Sequence, residues 1–267
     1  MPQLKSVYLA AVLGIAAMSP AIAATCGNDG NGFSAWKNEF AAEARKAGIK
    51  KRGLEALASA QYATRTIAAD RNQKSFKYSL DKFMQVRGAN TIVAQARKRK
   101  ARNPNFYASL ERQYGVPSGV LLAIHGMETA FGGFMGDSSV VSAIVTLTYD
   151  CRRSDFFRPH AIGALRLVDQ GSITAQTKGA RHGELGHTQF LPGNALKYGV
   201  DANGDGRVDF YSEADALAST ANYLRGKGWK TGKGYQEGQP NFAAIKAWNA
   251  AGVYQKAIAI MAAKIDS

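Results

Sequence analysis

The feature that most restricts the fold is the recurrence of apolar residues at helical spacing along nearly the whole chain. Strand signals are sparse, with residues 208–210 as one brief extended candidate, so the pattern predicts a mainly α-helical protein. The predicted helices are 33–47, 52–60, 75–86, 89–101, 103–117, 118–129, 139–148, 154–169, 190–198, 213–227 and 240–264. Long loops are expected at 130–138, 171–189 and 199–212.

The N-terminus has the pattern of a secretory signal. Lys5 precedes an apolar run at 7–18, and Pro20 is followed by a small-residue cleavage site, which predicts cleavage after Ala23 or Ala24. A membrane-spanning helix is the alternative, but spanning takes about 20 apolar residues. We therefore expect 1–23 to be a signal peptide, 24–32 a flexible lead-in, and the mature protein to be soluble and either periplasmic or secreted.

The chain has two cysteines, Cys26 and Cys151. In an oxidising compartment an even pair predicts one disulfide, which would join the mature N-terminus to the middle of the chain. Two free thiols are the alternative, since sequence alone does not give the geometry. No cysteine–histidine cluster has the ligand spacing of a zinc site.

The formal net charge is +14, with basic runs at 45–52 and 97–102. Such a charge favours anionic partners such as nucleic acid, a membrane surface or an acidic wall polymer. Export argues against nucleic acid. Solvated helix faces explain either run equally well when it is considered alone.

One acid lies within a stretch that is otherwise typical of a packed core, "LLAIHGMETAFGGFMG" at 121–136. On a helix over 118–129, Glu128 is about 20° from Leu121 and about 40° from Ile124, on the stripe that faces the core. Burial and the negative end of the helix dipole both raise the pKa of such a carboxyl. The pattern indicates a proton donor. A carboxylate that pairs with a distant arginine or caps a loop is the alternative.

The segment "YGVPSGVLLAIHGMETAFGGFMG" resembles the lytic murein transglycosylases of the membrane-bound type B family. The likeness continues in order through "TLTYDCRRSDFF", "GELGHTQFLP", "DANGDGRVDFYSEADALASTANYLRGKGW" and "WNAAGVY", and covers most of 62–260. These enzymes have a lysozyme-like helical core, and they cut the MurNAc–GlcNAc bond of peptidoglycan without water, leaving a 1,6-anhydromuramoyl end. The resemblance implies a catalytic domain over 33–267, with the lysozyme-like core at about 105–230, additional terminal helices and little β structure.

Site residues follow from the same resemblance. Glu128 matches the single catalytic acid, which then acts as a base. The substrate-binding positions are Gln189, Tyr223, Trp248, Asn249 and Tyr254. Peptidoglycan strands are the implied partner of a monomer, with cell-wall or secretion-machinery proteins as further candidates. A hydrolytic muramidase on the same fold and a non-catalytic murein-binding protein are the alternatives.

The chain departs from the family at Ala180, where a serine normally hydrogen-bonds near the acid. Its loss predicts reduced or retuned activity. Asp137, Asp155 and Glu184 are candidate second carboxylates, and the usual surface placement of acids favours a solvated or structural charge for each. The four histidines have no ligand spacing, which favours surface or packing roles for most of them.

The segment "DANGDGRVDFYSEAD" has the opening of a calcium loop, because alternate residues offer oxygens to a hard cation. The twelfth position is Ser212 rather than glutamate, so the standard loop fails. The resembling family closes a longer loop with an aspartate, which implies a structural Ca²⁺ that is not needed for the chemistry. Its ligands would be Asp201, Asn203, Asp205, Arg207 through its carbonyl, and Asp215. A metal-free Asx turn is the alternative.

Overall fold

The structure is a computed structural model that describes residues 24–72 and 77–267. The predicted signal peptide lies outside the described residues. Helices dominate the described part, as the apolar spacing predicts. They are α1 Phe33–Lys46, α2 Lys51–Ser59, α3 Thr64–Arg71, α4 Leu80–Val86, α5 Ala89–Arg102, α6 Pro104–Tyr114, α7 Ser118–Thr129, α8 Val140–Tyr149, α9 Ser154–Gln170, α10 Pro192–Tyr198, α11 Glu213–Gly226, α12 Phe242–Trp248 and α13 Gly252–Asp266.

The β structure of the described residues is small. Strand β1, Ser138–Ser139, pairs antiparallel with β2, Lys178–Gly179. This ladder joins the loop after α7 to the loop after α9, so two loops that are distant in sequence lie side by side. Gly136 permits the close approach, because a Cβ at this position would lie 1.9 Å from the carbonyl oxygen of Gly179.

Two predicted elements are wrong in detail, and one helix was not predicted. The helix expected over 240–264 is two helices, α12 and α13, because the backbone becomes extended at Asn249, whose Oδ1 accepts the N–H of Ala251 at 2.9 Å. An Asx turn of this kind competes with helical hydrogen bonding. Helix α3 was missed because two of its three buried residues, Thr66 and Asp70, are polar. Residues 208–210 form no strand.

Helix α7 lies at the centre of the fold. It packs against α5, α6, α11 and α13, and every one of its residues except Glu128 is buried. The stripe containing Leu121 and Ile124 is therefore only part of a helix enclosed on nearly all sides. Glu128 lies in the last turn, as predicted, although it is partly exposed rather than buried. The helix ends when Ala130 adopts a left-handed conformation with φ 49°.

The described chain begins against the junction of α8 and α9. Cys26 and Cys151 form a disulfide, which confirms the predicted pairing. Backbone hydrogen bonds reinforce it, since the N–H of Gly27 donates to Tyr149 and the N–H of Cys151 donates to Gly27. Among the described helices, none combines the length and the apolar character needed to cross a bilayer.

Candidate active site

Two cavities meet at the end of α7. The larger has a volume of about 580 Å³ and the smaller about 340 Å³. Glu128 and Gln189 line both, so these two side chains lie at the junction. The larger cavity brings together all the residues that were predicted to bind substrate: Gln189, Tyr223, Trp248, Asn249 and Tyr254.

One carboxylate oxygen of Glu128 is held by two donors. The hydroxyl of Tyr254 donates to Oε1 at 2.5 Å, and the indole Nε1 of Trp248 donates to the same atom at 3.1 Å. Both donors come from the chain around the break between α12 and α13. The interruption that the sequence did not predict therefore positions the two groups that orient the acid.

Burial raises the pKa of Glu128 above its ordinary value, and this effect exceeds the opposing ones. The hydrogen bonds from Tyr254 and Trp248 favour the ionised form, and so does the charge of Arg87. Arg87 follows α4, donates to the carbonyl of Met127 at 3.0 Å and lines the larger cavity. The local sequence has no cation near the acid, but the fold supplies one from elsewhere.

Aromatic rings form one wall of the larger cavity. Trp248 is partly exposed and meets Tyr223 edge-on, with ring centroids 5.3 Å apart. Phe190 meets Trp248 in the same way at 5.2 Å. Tyr223 itself is buried, and its hydroxyl donates to the carbonyl of Ala247 at 2.6 Å. Tyr223 therefore supports the wall, while Trp248 offers an exposed aromatic face of the kind that packs against a sugar ring.

Gln189 is held in an unusual backbone conformation. Its φ is 54°, in the left-handed region that non-glycine residues rarely adopt. Its Nε2 donates to the carbonyl of Gly186 at 2.7 Å, and backbone bonds between Leu185 and Phe190 close the turn around it. Such conformations cost energy and concentrate at functional sites. The turn fixes this amide beside the acid.

Sequence reasoning missed the place of Glu184. A solvated or structural charge was favoured there, yet the side chain is only 23% exposed and lines the larger cavity with Glu128. Burial raises the pKa of Glu184 to about 7, and the charge of Glu128 adds to the effect. The available signal was its position five residues before Gln189, within a turn that returns to the cleft.

The other two candidate carboxylates are accessible to solvent. Asp155 is exposed near the start of α9. Asp137 is half-exposed and pairs with Arg65 at 3.1 Å, although it lines the smaller cavity. The hydrogen bond from Arg65 lowers the pKa of Asp137. The expectation of solvated charges therefore describes both.

The histidines serve mainly in packing. His125 is fully buried, and its Nε2 lies 2.9 Å from Nδ1 of His187. Burial lowers the pKa of His125 to about 3 and that of His160 to about 4, so both are neutral at physiological pH. His182 lines the larger cavity beside Glu184, and burial lowers its pKa to about 4 as well.

Comparison with known proteins shows the family to which the chain belongs. Residues 32–238, more than three quarters of the chain, match the family described as the transglycosylase SLT domain. The chain belongs to the transglycosylase SLT domain family. The resemblance that the motifs indicated is thereby confirmed at the level of the family.

Individual lytic transglycosylases are similar to this chain in sequence and in structure. The membrane-bound lytic murein transglycosylase B of Escherichia coli strain K12 is 34% identical over 121 residues, which is 45% of this chain and 34% of that protein. The match thus spans about a third of the relative's length. SltB3 from Pseudomonas aeruginosa, solved in complex with NAG-anhNAM-pentapeptide, superposes with a TM-score of 0.80 at 26% identity, covering 89% of this chain and 80% of that chain.

A more distant SLT structure shows the fold alone. It is the Escherichia coli lytic transglycosylase Slt35 in complex with calcium, with a TM-score of 0.74 at 19% identity, covering 93% of this chain and 98% of that chain. These similarities confirm the lysozyme-like helical architecture of the chain.

Ala180, the position at which the resemblance implies a serine, lies at the site. Ala180 lines the smaller cavity together with Glu128 and Gln189. Its N–H donates to the carbonyl of Glu184 at 3.0 Å, which fixes the backbone at this position. The alanine side chain has no hydroxyl to donate toward the acid. The departure noted in the sequence is therefore beside the acid.

In the loop over 201–215, where the resemblance implies calcium, two aspartates accept hydrogen bonds from backbone N–H groups. Asp215 is buried, and its carboxylate accepts the N–H groups of Ala202, Asn203 and Asp209. Asp201 accepts those of Gly204 and Gly206 in the same way. Among the described residues, no three His, Cys, Asp or Glu side chains converge as metal ligands. The contacts of Asp201 with nearby backbone N–H groups are also those of the Asx-turn alternative, and calcium binding stays a prediction.

Proposed function

We propose that this protein is a peptidoglycan lytic transglycosylase, in which Glu128 acts first as an acid and then as a base. The observation that carries the proposal is the position of Glu128, which is the one partly exposed residue of a buried helix and lies where two cavities meet. A glycan strand bound across both cavities would place a glycosidic bond beside this carboxyl.

In the first step Glu128 donates its proton to the leaving O4 oxygen of the next sugar. The raised pKa of Glu128 favours the protonated form that this step requires. Ordinary glycosidases use a second carboxylate to stabilise or attack the sugar carbon. Here the N-acetyl group of the muramoyl sugar assists departure of the leaving oxygen.

In the second step ionised Glu128 takes a proton from the 6-hydroxyl of the same sugar, whose oxygen closes the anhydro ring on C1. The hydrogen bonds from Tyr254 and Trp248 stabilise the ionised form in this step. The proton lost in the first step is regained in the second, so one group completes a cycle without water.

Two features of the chain support the proposed substrate and the proposed location. Its positive charge would raise the local concentration of an anionic wall polymer. The disulfide is typical of an oxidising compartment, which supports a periplasmic or secreted location. We propose murein strands as the partner and a monomer as the active form.

The products test the proposal. Murein is first reduced with borohydride, so that every existing reducing end becomes an alcohol, and is then digested with the parent protein and with Glu128→Gln. New glycan ends are identified by mass, because an anhydro end is one water lighter than a reducing end. We expect anhydro ends from the parent and none from Glu128→Gln.

Other outcomes separate the alternatives. New reducing ends without anhydro ends would identify a muramidase and contradict the proposal. Retained binding of murein by the parent without any new ends would identify a non-catalytic binding protein. Equal digestion by the parent and Glu128→Gln, both folded by circular dichroism, would show that another acid performs the chemistry.

A further inference from the structure

The larger cavity contains a second carboxyl group that the single-acid mechanism does not use. Glu184 lies on the loop between β2 and α10, and its side chain lines the cavity that also contains Glu128, Trp248 and Tyr254. It is only 23% exposed, so it is neither a solvated surface charge nor fully enclosed. Its position lets it contact a water molecule or substrate held in the cavity.

Glu184 lacks side-chain donors like the two that hold Glu128. Its Oε2 is buried and has no hydrogen-bond partner within the described part of the chain. Its Oε1 lies 3.8 Å from Nδ1 of His182, a ring kept neutral by burial. A carboxylate with fewer donors is more basic than one that accepts several hydrogen bonds.

The charged groups around Glu184 are few. Arg153, at the start of α9, favours its ionised form, and backbone hydrogen bonding at His182 and Glu184 acts in the same direction. Glu128 opposes it as a like charge. The guanidinium of Arg153 is itself engaged by the buried carboxylate of Asp70, which weakens its effect on the cavity. Two acids with different hydrogen-bonding environments therefore share one cavity.

We propose that Glu184 is the general base of a second, hydrolytic reaction in this cleft, which releases reducing muramoyl ends alongside the anhydro ends. The inference rests on the proposed transglycosylase function and adds a catalytic residue to it. Glycosidases that consume water require two carboxyl groups, one to protonate the leaving oxygen and one to activate water. The cavity provides both.

The hydrolytic step consumes one water molecule. Ionised Glu184 takes a proton from a water molecule, whose oxygen forms a bond to C1 of the muramoyl sugar. The C1–O4 bond breaks, and the leaving oxygen takes the proton of Glu128. Glu184 then releases its proton to solvent and Glu128 regains one, so one water is consumed for each bond cut.

This assignment makes the product ratio depend on pH. Both routes begin with a protonated Glu128, so the ionisation of Glu128 affects them equally and cancels from the ratio. The hydrolytic route alone requires an ionised Glu184, whose pKa is raised to about 7. The ratio of reducing to anhydro ends should therefore rise through neutral pH.

The experiment uses the full mature protein and borohydride-reduced murein, with new ends counted by mass at several pH values. From one unit below the Glu184 pKa to one unit above it, the ionised fraction rises roughly tenfold, so the ratio should rise roughly tenfold. In Glu184→Gln, which keeps the shape of the side chain, we expect the reducing ends to be lost and the anhydro ends to remain detectable. Asp155→Asn removes an exposed acid on α9 and serves as the control.

Four results would overturn the assignment. Anhydro ends alone at every pH would show that Glu184 activates no water, while leaving the proposed function intact. Reducing ends that persist in Glu184→Gln, or a ratio independent of pH, would assign water activation to Glu128 or to solvent. Loss of all activity in a folded Glu184→Gln would place Glu184 in the transglycosylase step instead. Absence of any cleavage by the parent would refute the proposed function itself.

Discussion

The hydroxyl of Tyr254 lies 2.5 Å from Oε1 of Glu128, although 126 residues separate them in the chain. The indole of Trp248 donates to the same oxygen, so one carboxylate atom has two neutral donors. Donors of this kind stabilise the ionised acid, while burial destabilises it. The balance leaves the Glu128 pKa raised, but less than burial alone would make it.

Replacing Tyr254 with phenylalanine removes one of these donors and keeps the ring. We expect kcat/KM to fall about fivefold, since a hydrogen bond of about 1 kcal/mol is lost from the step in which Glu128 is ionised. The Glu128 pKa should rise, so the alkaline limb of the pH–rate profile should move to higher pH. An unchanged profile in a folded Tyr254→Phe would show that this contact has no role in the reaction.

The positive charge of Arg87 should affect the pH dependence of the reaction. Its guanidinium lowers the Glu128 pKa, and the proposed mechanism requires Glu128 to be protonated at the start of the cycle. Removing the charge in Arg87→Gln should therefore raise that pKa and move the alkaline limb of the pH–rate profile to higher pH. Arg87→Lys keeps the charge and should leave the limb near its original position. The opposite shift in Arg87→Gln, measured as kcat/KM against pH, would contradict the electrostatic account.

The Ala180 position predicts a gain of activity. Ala180 lines the smaller cavity beside Glu128, and a serine there would restore a hydroxyl next to the acid. We expect Ala180→Ser to raise the cleavage rate by a few-fold to tenfold, the equivalent of about 1 kcal/mol in the barrier. Ala180→Gly, which adds no hydroxyl, is the control. Equal rates for the parent and Ala180→Ser would show that the missing serine does not limit this cleft.

The loop over 201–215 predicts a response to metal. If it binds calcium, saturation at about one hundred times the dissociation constant should raise the melting temperature by about 5–10 °C. The chelated protein should lose this increment, and Asp201→Asn should abolish it. A melting temperature that does not change with calcium or chelator would assign the loop to Asx turns, in which Asp201 and Asp215 bind backbone N–H groups.

Local sequence predicted the parts of the fold that depend on local chemistry. Helix α7 has the expected bounds, and its apolar stripe leads to the acid in the last turn. The break before α13 was missed because it depends on the side chain of Asn249, whose Oδ1 accepts the backbone N–H of Ala251. Apolar spacing alone does not distinguish such a break from a continuous helix.

The candidate site shows the same limit. The resemblance gave the residues that line the cleft, but pairwise spacing in the sequence could not show that Arg87 and Glu184 reach it. Both line the cavity because the fold brings together segments that are distant in sequence. Arg87 follows α4, and Glu184 lies on the loop after β2, which pairs with β1. A solvated charge is the usual state of an isolated acid, which is why Glu184 was expected to be one.

The proposed reaction depends most on the protonation of Glu128. A carbon-13 NMR titration of glutamate-labelled protein, with the Glu128 carboxyl assigned by comparison with Glu128→Gln, measures it directly. Repeating the titration in Glu184→Gln separates the two acids of the cavity. We predict a Glu128 pKa above the ordinary value of 4.5 in both proteins. A value at or below 4.5 would contradict the claim that this side chain is the proton donor of the cleft.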